Sequence, residues 1–174
     1  QHQQSIEDYS VIIRLAPNLA DGYIGRGNAY ASLEQYEDAI EDFDRAVSLN
    51  PDFEPTYNSR GMAFANLGRF EQAANDFSDA IRLNPQNPDA YFSRAIALLT
   101  MGLLDRAIVD LDQAIRLDPE FALAYLNRAL GLTLLSRDDE AQPDIDRAKE
   151  LGLAPEAVDQ FIVEARNQRA TGGP

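Results

Sequence analysis

Apolar residues recur along the chain with a spacing typical of α-helices. Tyr57, Gly61 and Phe64 fall at i, i+4 and i+7 and therefore share one face of a helix. A second apolar face begins at Ala73 and continues at Phe77. Polar residues occupy most positions between them, so this stretch predicts two amphipathic helices in succession.

Residues that interrupt helices lie between and after these two faces. Gly68 suits a left-handed turn between the first helix and the second. Pro85 cannot continue the second helix, and it pushes Asn84 towards extended geometry. The stretch therefore predicts a helix, a turn, a second helix and a stop.

The same pattern returns every 34 residues through four copies without a gap. The first helix carries a tyrosine at one position in every copy, and the second helix carries an alanine, a bulky apolar residue and another alanine. These positions are Tyr23, Tyr57, Tyr91 and Tyr125, then Ala39, Ala73, Ala107 and Ala141, then Phe43, Phe77, Leu111 and Ile145, and finally Ala46, Ala80, Ala114 and Ala148. A constant period over four copies is a stronger signal than any single short motif.

This pattern resembles that of the tetratricopeptide repeat (TPR) family, over about residues 5–155. Each copy has the aromatic residue, Gly or Ala four residues later, and the Ala, bulky residue and Ala of the second helix. The resemblance implies an all-α fold, a right-handed α-solenoid of antiparallel helix pairs with the first helix of each pair lining a concave groove. Members of the family mostly bind peptides or other proteins.

The period also predicts how the chain is divided. Residues 5–15 match a second helix without its first helix, so we expect the chain to be a segment of a longer protein. The predicted segments are a partial repeat at 1–19, full repeats at 20–53, 54–87, 88–121 and 122–155, the last of them atypical, and a capping helix with a tail at 156–174.

The end of the chain departs from the repeat. Pro143 lies early in the second helix of the fourth copy, which predicts a late start or a bend. Pro155 suits the first residue of a further helix, with Glu156 at its positive end. Its predicted apolar face consists of Ala157, Val158, Phe161, Ile162 and Ala165. Such a helix covers the exposed end of a repeat array, and residues 170–174 after it are predicted to fray.

An arginine recurs where the family more often has a leucine-like residue, and a buried charge needs a partner. Aspartates of the second helices share its period. The arginines are Arg26, Arg60, Arg94 and Arg128, and the aspartates are Asp8, Asp42, Asp76, Asp110 and Asp144. The favoured hypothesis is that the arginine stems pack between helices and the guanidinium groups bond to these aspartates or to helix-end carbonyls. The alternative is a basic ladder that grips an acidic ligand in the groove.

Carried over by repeat register, the resemblance implies a groove lining that changes from polar to apolar along the chain. The predicted ligand-binding residues are Asn28, Asn58, Met62, Phe92, Ile96, Leu126, Asn127 and Leu130. The four apolar residues of the third and fourth copies would form an anchor pocket, unless the C-terminal helix or close packing between those copies covers them. The positions of the cationic clamp of chaperone-binding relatives carry no Lys or Arg here.

Composition excludes several kinds of chemistry. The chain has no cysteine, its one histidine is His2, and no glycine-rich phosphate loop follows a strand. The sequence thus predicts no catalytic site, no metal site and no cofactor. The net charge of −14 disfavours nucleic acid and anionic membrane surfaces as partners. No apolar run is long enough for a membrane helix, and the sequence leaves both cytoplasm and periplasm open.

The sequence therefore predicts a non-catalytic scaffold that binds a protein or peptide segment in its groove. Two alternatives stay open. In one, the chain is the docking arm of a larger enzyme. In the other it self-assembles, because the unpaired helix at residues 5–15 is predicted to expose Ile6, Tyr9 and Ile13 as an apolar edge for another copy.

Overall fold

The computed structural model describes residues 2–171, and its regular structure over that range is entirely helical. This confirms the predicted all-α class. The chain divides into an N-terminal unit, Gln1–Pro85, and a C-terminal unit, Gln86–Pro174. The helices of the N-terminal unit are α1 (His2–Leu15), α2 (Ala20–Ala31), α3 (Tyr36–Leu49), α4 (Glu54–Asn66) and α5 (Phe70–Leu83). Those of the C-terminal unit are α6 (Pro88–Thr100), α7 (Leu104–Leu117), α8 (Ala122–Leu134), α9 (Asp138–Glu150) and α10 (Pro155–Ala170).

Within each unit the helices pack mainly against their neighbours in the sequence. In the N-terminal unit α2 packs on α3 and α4 on α5, while α3 meets α4 and α1 lies on α2. In the C-terminal unit α6 packs on α7 and α8 on α9, α7 meets α8, and α10 packs against α8 and α9. Each of the four copies thus contributes a first helix (α2, α4, α6 or α8) and a second helix (α3, α5, α7 or α9).

The turn inside each helix pair has a left-handed residue at the same repeat position. Gly68 and Gly102 have φ of 73° and 74°, as predicted for Gly68. Glu34 and Ser136 adopt the same conformation with φ of 60° and 61°, although a Cβ makes it less favourable. The backbone hydrogen bonds that follow the helix impose this geometry, since they recur with similar lengths at all four turns.

Close approach of the paired helices depends on a match between small and large residues. A Cβ added to Gly61 would lie 2.8 Å from the Phe77 ring, closer than packed carbon atoms come. Gly27 stands in the same relation to Phe43. Where the second helix carries the smaller Leu111 or Ile145, the first helix has an alanine instead of a glycine. The glycine therefore makes room for a phenylalanine ring.

Gly61→Ala is expected to lower the free energy of unfolding by about 2 kcal/mol, as overpacking of a tight core does. Phe77→Leu in the same chain should remove most of this additional loss, because it recreates the pairing found in the third copy. Urea denaturation of the two single variants and the double variant measures the coupling. Additive losses in the double variant would contradict the size-matching argument.

The fourth copy corrects one expectation. α9 begins at Asp138, the repeat position at which α3, α5 and α7 begin, so the predicted late start at Pro143 is wrong. The proline ring crowds the carbonyl of residue 139 in the first turn, where the backbone is held by few helical bonds. The helix can therefore form around Pro143.

The capping helix is confirmed, with Pro155 in its first turn. Val158, Ile162 and Ala165 are buried, and the first two belong to one core cluster with Leu132 and other residues of α8 and α9. Phe161 is half-buried against this cluster. Ala157 is exposed, so it does not belong to the apolar face as predicted. Fraying was predicted for residues 170–174. Ala170 is the last residue of α10 and Thr171 follows it in a turn, while residues 172–174 lie outside the described residues.

The exposed face of α1 differs from the prediction. Ile6 is buried, and Tyr9 and Ile13 are half-buried where they lie against Gly25 and Gly22 of α2. The exposed apolar residues of α1 are instead Val11, Ile12 and Leu15, with 47%, 38% and 80% of their surface accessible. An apolar edge exists on α1, but it consists of other residues than those predicted.

Candidate interaction site

The four repeated arginines form ion pairs with the aspartate of their own copy, which confirms the favoured hypothesis. Each guanidinium donates from Nε and Nη2 to both carboxylate oxygens, at 2.6–2.8 Å. The pairs are Arg26–Asp42, Arg60–Asp76, Arg94–Asp110 and Arg128–Asp144. All four aspartates are buried, so these arginines hold the helix pairs together.

Asp8 is the exception among the periodic aspartates. It is exposed and accepts a hydrogen bond from Gln4 at 3.2 Å. The arginine equivalent to Arg26 would precede the chain in the repeat register. The expectation that Asp8 takes part in an ion pair with an arginine is therefore wrong for residues 2–171.

Arg26, Arg60 and Arg128 also reach back to the second helix that precedes their own copy. Arg60 Nη1 donates to Asp44 and Arg128 Nη1 to Asp112, both at 2.6 Å. Arg26 Nη1 donates to the Ser10 hydroxyl at 3.1 Å. These hydrogen bonds and ion pairs raise the pKa of the Arg60 and Arg128 guanidinium groups above their usual range, against the opposing effect of burial. The arginine thus links successive second helices within a unit.

A pocket lies on the N-terminal unit between α2 and α4, with residues of α3 at its base. Its volume is about 410 Å³. It brings together the predicted residues Asn28 and Met62, and Met62 is 55% exposed. Ser59 and Asn66 line it as well. The predicted Asn58 lies outside this lining, and its buried Oδ1 has no hydrogen-bond partner among the described residues.

Of the four apolar residues predicted in the C-terminal unit, Leu130 lines the pocket between α6, α8 and α10, whereas Phe92, Ile96 and Leu126 lie outside that lining. Phe92 is half-buried and packs against Phe121, with ring centroids 4.7 Å apart. Leu126 is half-buried against the core cluster beneath α10. Asn127 donates its side-chain amide to the Leu123 carbonyl at 2.8 Å. Much of the surface of Phe92 and Leu126 is therefore taken up by packing within the unit.

Two further predicted residues, Ile96 and Leu130, are also half-buried. Leu130 lines a second pocket of about 590 Å³ between α6, α8 and α10, while Ile96 does not. Leu99 and Leu134 contribute further apolar wall, and Arg169 lies at one side. This pocket is the larger of the two, and its walls carry more leucine than those of the pocket between α2 and α4.

Arg169 belongs to this pocket although the repeat pattern does not include it. Its Nη1 donates to Asp138 at 2.6 Å and to the Thr133 carbonyl at 2.8 Å. Arg166 donates to the same carboxylate at 2.9 Å, and the two arginines lower the pKa of Asp138. The three side chains carry a net positive charge beside the apolar wall. The sequence gives no sign of this cluster, because Arg166 and Arg169 of α10 lie outside the 34-residue repeat. The packing of α10 on α8 brings the cluster together.

Metal-binding groups and membrane-spanning helices are two further features to consider for residues 2–171. In that range no group of three or more His, Cys, Asp or Glu side chains is placed to hold a metal ion. None of the helices there is long and apolar enough to cross a membrane.

Paired helices that repeat every 34 residues, with pockets along their first helices, define a helical-repeat protein. Two models described as tetratricopeptide repeat match the chain, one at residues 20–53 and the other at 58–119 and 94–158. The chain belongs to the tetratricopeptide repeat family. No curated protein matches it in sequence.

Solved structures of this family share the fold. A crystal structure of MamA has a TM-score of 0.82 at 27% identity, over 84% of this chain and 85% of that chain. YrrB, described as a TPR protein with an unusual peptide-binding site, has a TM-score of 0.81 at 21% identity, over 95% and 84%. The first TPR of Spaghetti (RPAP3), bound to the HSP90 peptide SRMEEVD, has a TM-score of 0.66 at 24% identity, over 67% and 93%.

Proposed function

We propose that this chain is a non-catalytic scaffold that binds segments of other proteins at the pockets of its first helices. Family membership and the similar structures support a protein-interaction scaffold. The observation that carries the finer proposal is the leucine-lined pocket of the C-terminal unit, which combines apolar walls with Arg169. Pockets of this composition are typical of sites that take an apolar side chain and orient it with a few polar groups.

The two pockets differ in what they offer a bound segment. In the C-terminal unit, Leu99, Leu130 and Leu134 would surround an apolar side chain of the segment. In the N-terminal unit, Asn28 presents an amide group that can exchange hydrogen bonds with its backbone, beside Asn66, whose amide donates to the Met62 carbonyl at 2.9 Å. The apolar pocket would supply most of the affinity, since binding energy concentrates in a few well-packed anchors.

The similar structures support a peptide as the kind of ligand. YrrB has an unusual peptide-binding site, and the first TPR of Spaghetti is bound to a peptide. Arg169 adds a preference in this chain, because a cation beside an apolar pocket favours a segment with a carboxylate near its anchoring side chain. The proposed ligand is therefore a segment with an apolar residue flanked by acidic groups.

Leu130→Asp is expected to weaken the binding of peptides selected on the intact chain by at least about tenfold, because it places a carboxylate in the apolar pocket. Peptides are first enriched from a displayed random library, and their affinity is then measured by fluorescence anisotropy. Val109→Asp is the matched control, since Val109 is 61% exposed on α7 and lies outside this pocket. Failure to enrich any peptide, or equal affinity for the Leu130→Asp variant with its helicity retained, would refute the proposed pocket.

A further inference from the structure

The guanidinium of Arg169 is held in the C-terminal unit through only one of its nitrogens. Its Nη1 donates to the Asp138 carboxylate at 2.6 Å and to the Thr133 carbonyl at 2.8 Å. These two bonds use both N–H groups of Nη1. Nε and Nη2 donate to no residue in the described part of the chain. Because 30% of the Arg169 side chain is exposed, a ligand can reach it.

The unused edge of Arg169 is the edge that binds carboxylates elsewhere in this chain. In each of the four copies, the repeated arginine donates from Nε and Nη2 to both oxygens of an aspartate, at 2.6–2.8 Å. In Arg60 and Arg128, Nη1 makes a separate bond to a second carboxylate. Arg169 makes the Nη1 bond without the other two. Its Nε and Nη2 can therefore receive a further carboxylate side-on, through two parallel hydrogen bonds.

The charges around Arg169 are unbalanced in the same sense. Arg166 donates from Nε to the Asp138 carboxylate at 2.9 Å, so one carboxylate is shared by two guanidinium groups. A carboxylate from a ligand would make the numbers equal. The net charge of −14 repels acidic segments from most of the protein surface. A preference for acidic segments therefore requires a local cation of this kind.

Arg169 lies where a segment in the leucine-lined pocket would meet it. It lines that pocket together with Leu130 and Leu134. Arg166 belongs to the same helix and the same carboxylate, but it lies outside the lining. The two hydrogen bonds of Nη1 restrain the Arg169 guanidinium before a ligand binds. Such preorganisation reduces the conformational entropy that is lost on binding.

We propose that Arg169 binds a side-chain carboxylate of the segment in this pocket, side-on through Nε and Nη2, and that Asp138 and the Thr133 carbonyl position it. This inference rests on the proposed function and adds the residue and the geometry that recognise the acidic group. The partner is a protein segment in which an aspartate or a glutamate lies near the apolar residue that enters the pocket. Arg169→Lys would not preserve this recognition, because an ammonium group lacks the planar pair of donors.

Two displayed libraries of heptapeptides test the inference, both with leucine at the central position. The other six positions vary among glycine, serine, alanine and glutamate in one library, and among glycine, serine, alanine and glutamine in the other. Both ends of each peptide are fused within the display protein, so no terminal carboxylate contributes. The intact 174-residue chain should recover the glutamate library at least about tenfold more than the glutamine library, as expected of a charge-assisted bidentate pair.

Variants of the two arginines show whether the pair geometry matters. Arg169→Leu and Arg169→Lys should each remove the preference for the glutamate library. Arg166→Leu is the matched control, since it removes the same charge from the same carboxylate but lies outside the pocket, and it should retain the preference. Circular dichroism checks the helicity of each variant. A purely structural role for Arg169 would lower the recovery of both libraries equally.

Three results would overturn the side-on recognition. They are equal recovery of both libraries by the intact chain, a glutamate preference that persists in Arg169→Leu, and a preference that Arg169→Lys retains in full. If Leu130→Asp still abolishes recovery of both libraries in these cases, the pocket proposal stands without the carboxylate recognition. Failure of the intact chain to recover either library would overturn the pocket proposal as well.

Discussion

Arg94→Ala is expected to lower the free energy of unfolding by about 3 kcal/mol, because it leaves the Asp110 carboxylate buried without the guanidinium that neutralises it. Asp110 is 4% exposed and accepts two hydrogen bonds of 2.7 Å from Arg94. Chemical denaturation followed by circular dichroism measures the loss. An unchanged midpoint would show that the ion pair contributes little to the fold.

Two further variants test the origin of this loss. Arg82→Ala removes an exposed ion pair with Asp79 and should change stability by less than about 0.5 kcal/mol. Replacing Arg94 by methionine and Asp110 by leucine together should recover most of the stability, because no buried charge is then left unpaired. A double variant as unstable as Arg94→Ala would indicate that packing of the arginine stem dominates instead.

Ending the chain after Ala154 should lower the melting temperature by about 10 °C, since it removes α10 from the core of the C-terminal unit. Val158 and Ile162 are almost fully buried, and their burial alone stabilises the fold by about 4 kcal/mol. Truncation also exposes Leu132 and Ile145, which share a core cluster with them. Differential scanning calorimetry measures the shift, and light scattering detects the aggregation expected of an uncovered end.

A narrower variant separates the loss of core contacts from the loss of chain length. Val158→Asp retains α10 but places a carboxylate in its buried face, and it should destabilise the unit nearly as much as the truncation. Val163→Asp, on the exposed side of the same helix, should be close to neutral. A truncated chain that stays monomeric and melts at the original temperature would contradict the assigned capping role.

The repeating part of the fold could be predicted from the sequence because the apolar spacing and the turn position recur in each copy. The spacing of Tyr57, Gly61 and Phe64 predicts the buried face of α4, and Gly68 predicts the left-handed turn after it. The pairing of arginines with aspartates was predictable for a similar reason. The arginine and the aspartate recur with the same period on helix faces. The same ion pair can therefore form in every copy.

Contacts that do not repeat could not be predicted in this way. Asp44 and Asp112 bind arginines, but serine holds the equivalent position in the partial repeat (Ser10) and in the second copy (Ser78), so no aspartate period marks it. The position of Arg169 depends on how α10 crosses α8, which no repeat specifies.

The candidate site was predicted only in part for the same reason. The sequence left open whether Phe92 is an open anchor or is covered by packing, and only the structure shows its contact with Phe121. Leu130 and Met62 do line pockets, because their positions follow directly from the face of a first helix.

The arginines that bind two aspartates affect how the number of repeats in such a chain can change. Arg60 binds Asp44 and Asp76, which lie 16 residues before and 16 residues after it, and Arg128 has the same symmetrical arrangement with Asp112 and Asp144. Duplication or deletion of one whole 34-residue copy preserves both spacings wherever the cut is made. Recombination in whole copies can therefore alter the number of binding faces without requiring new stabilising residues.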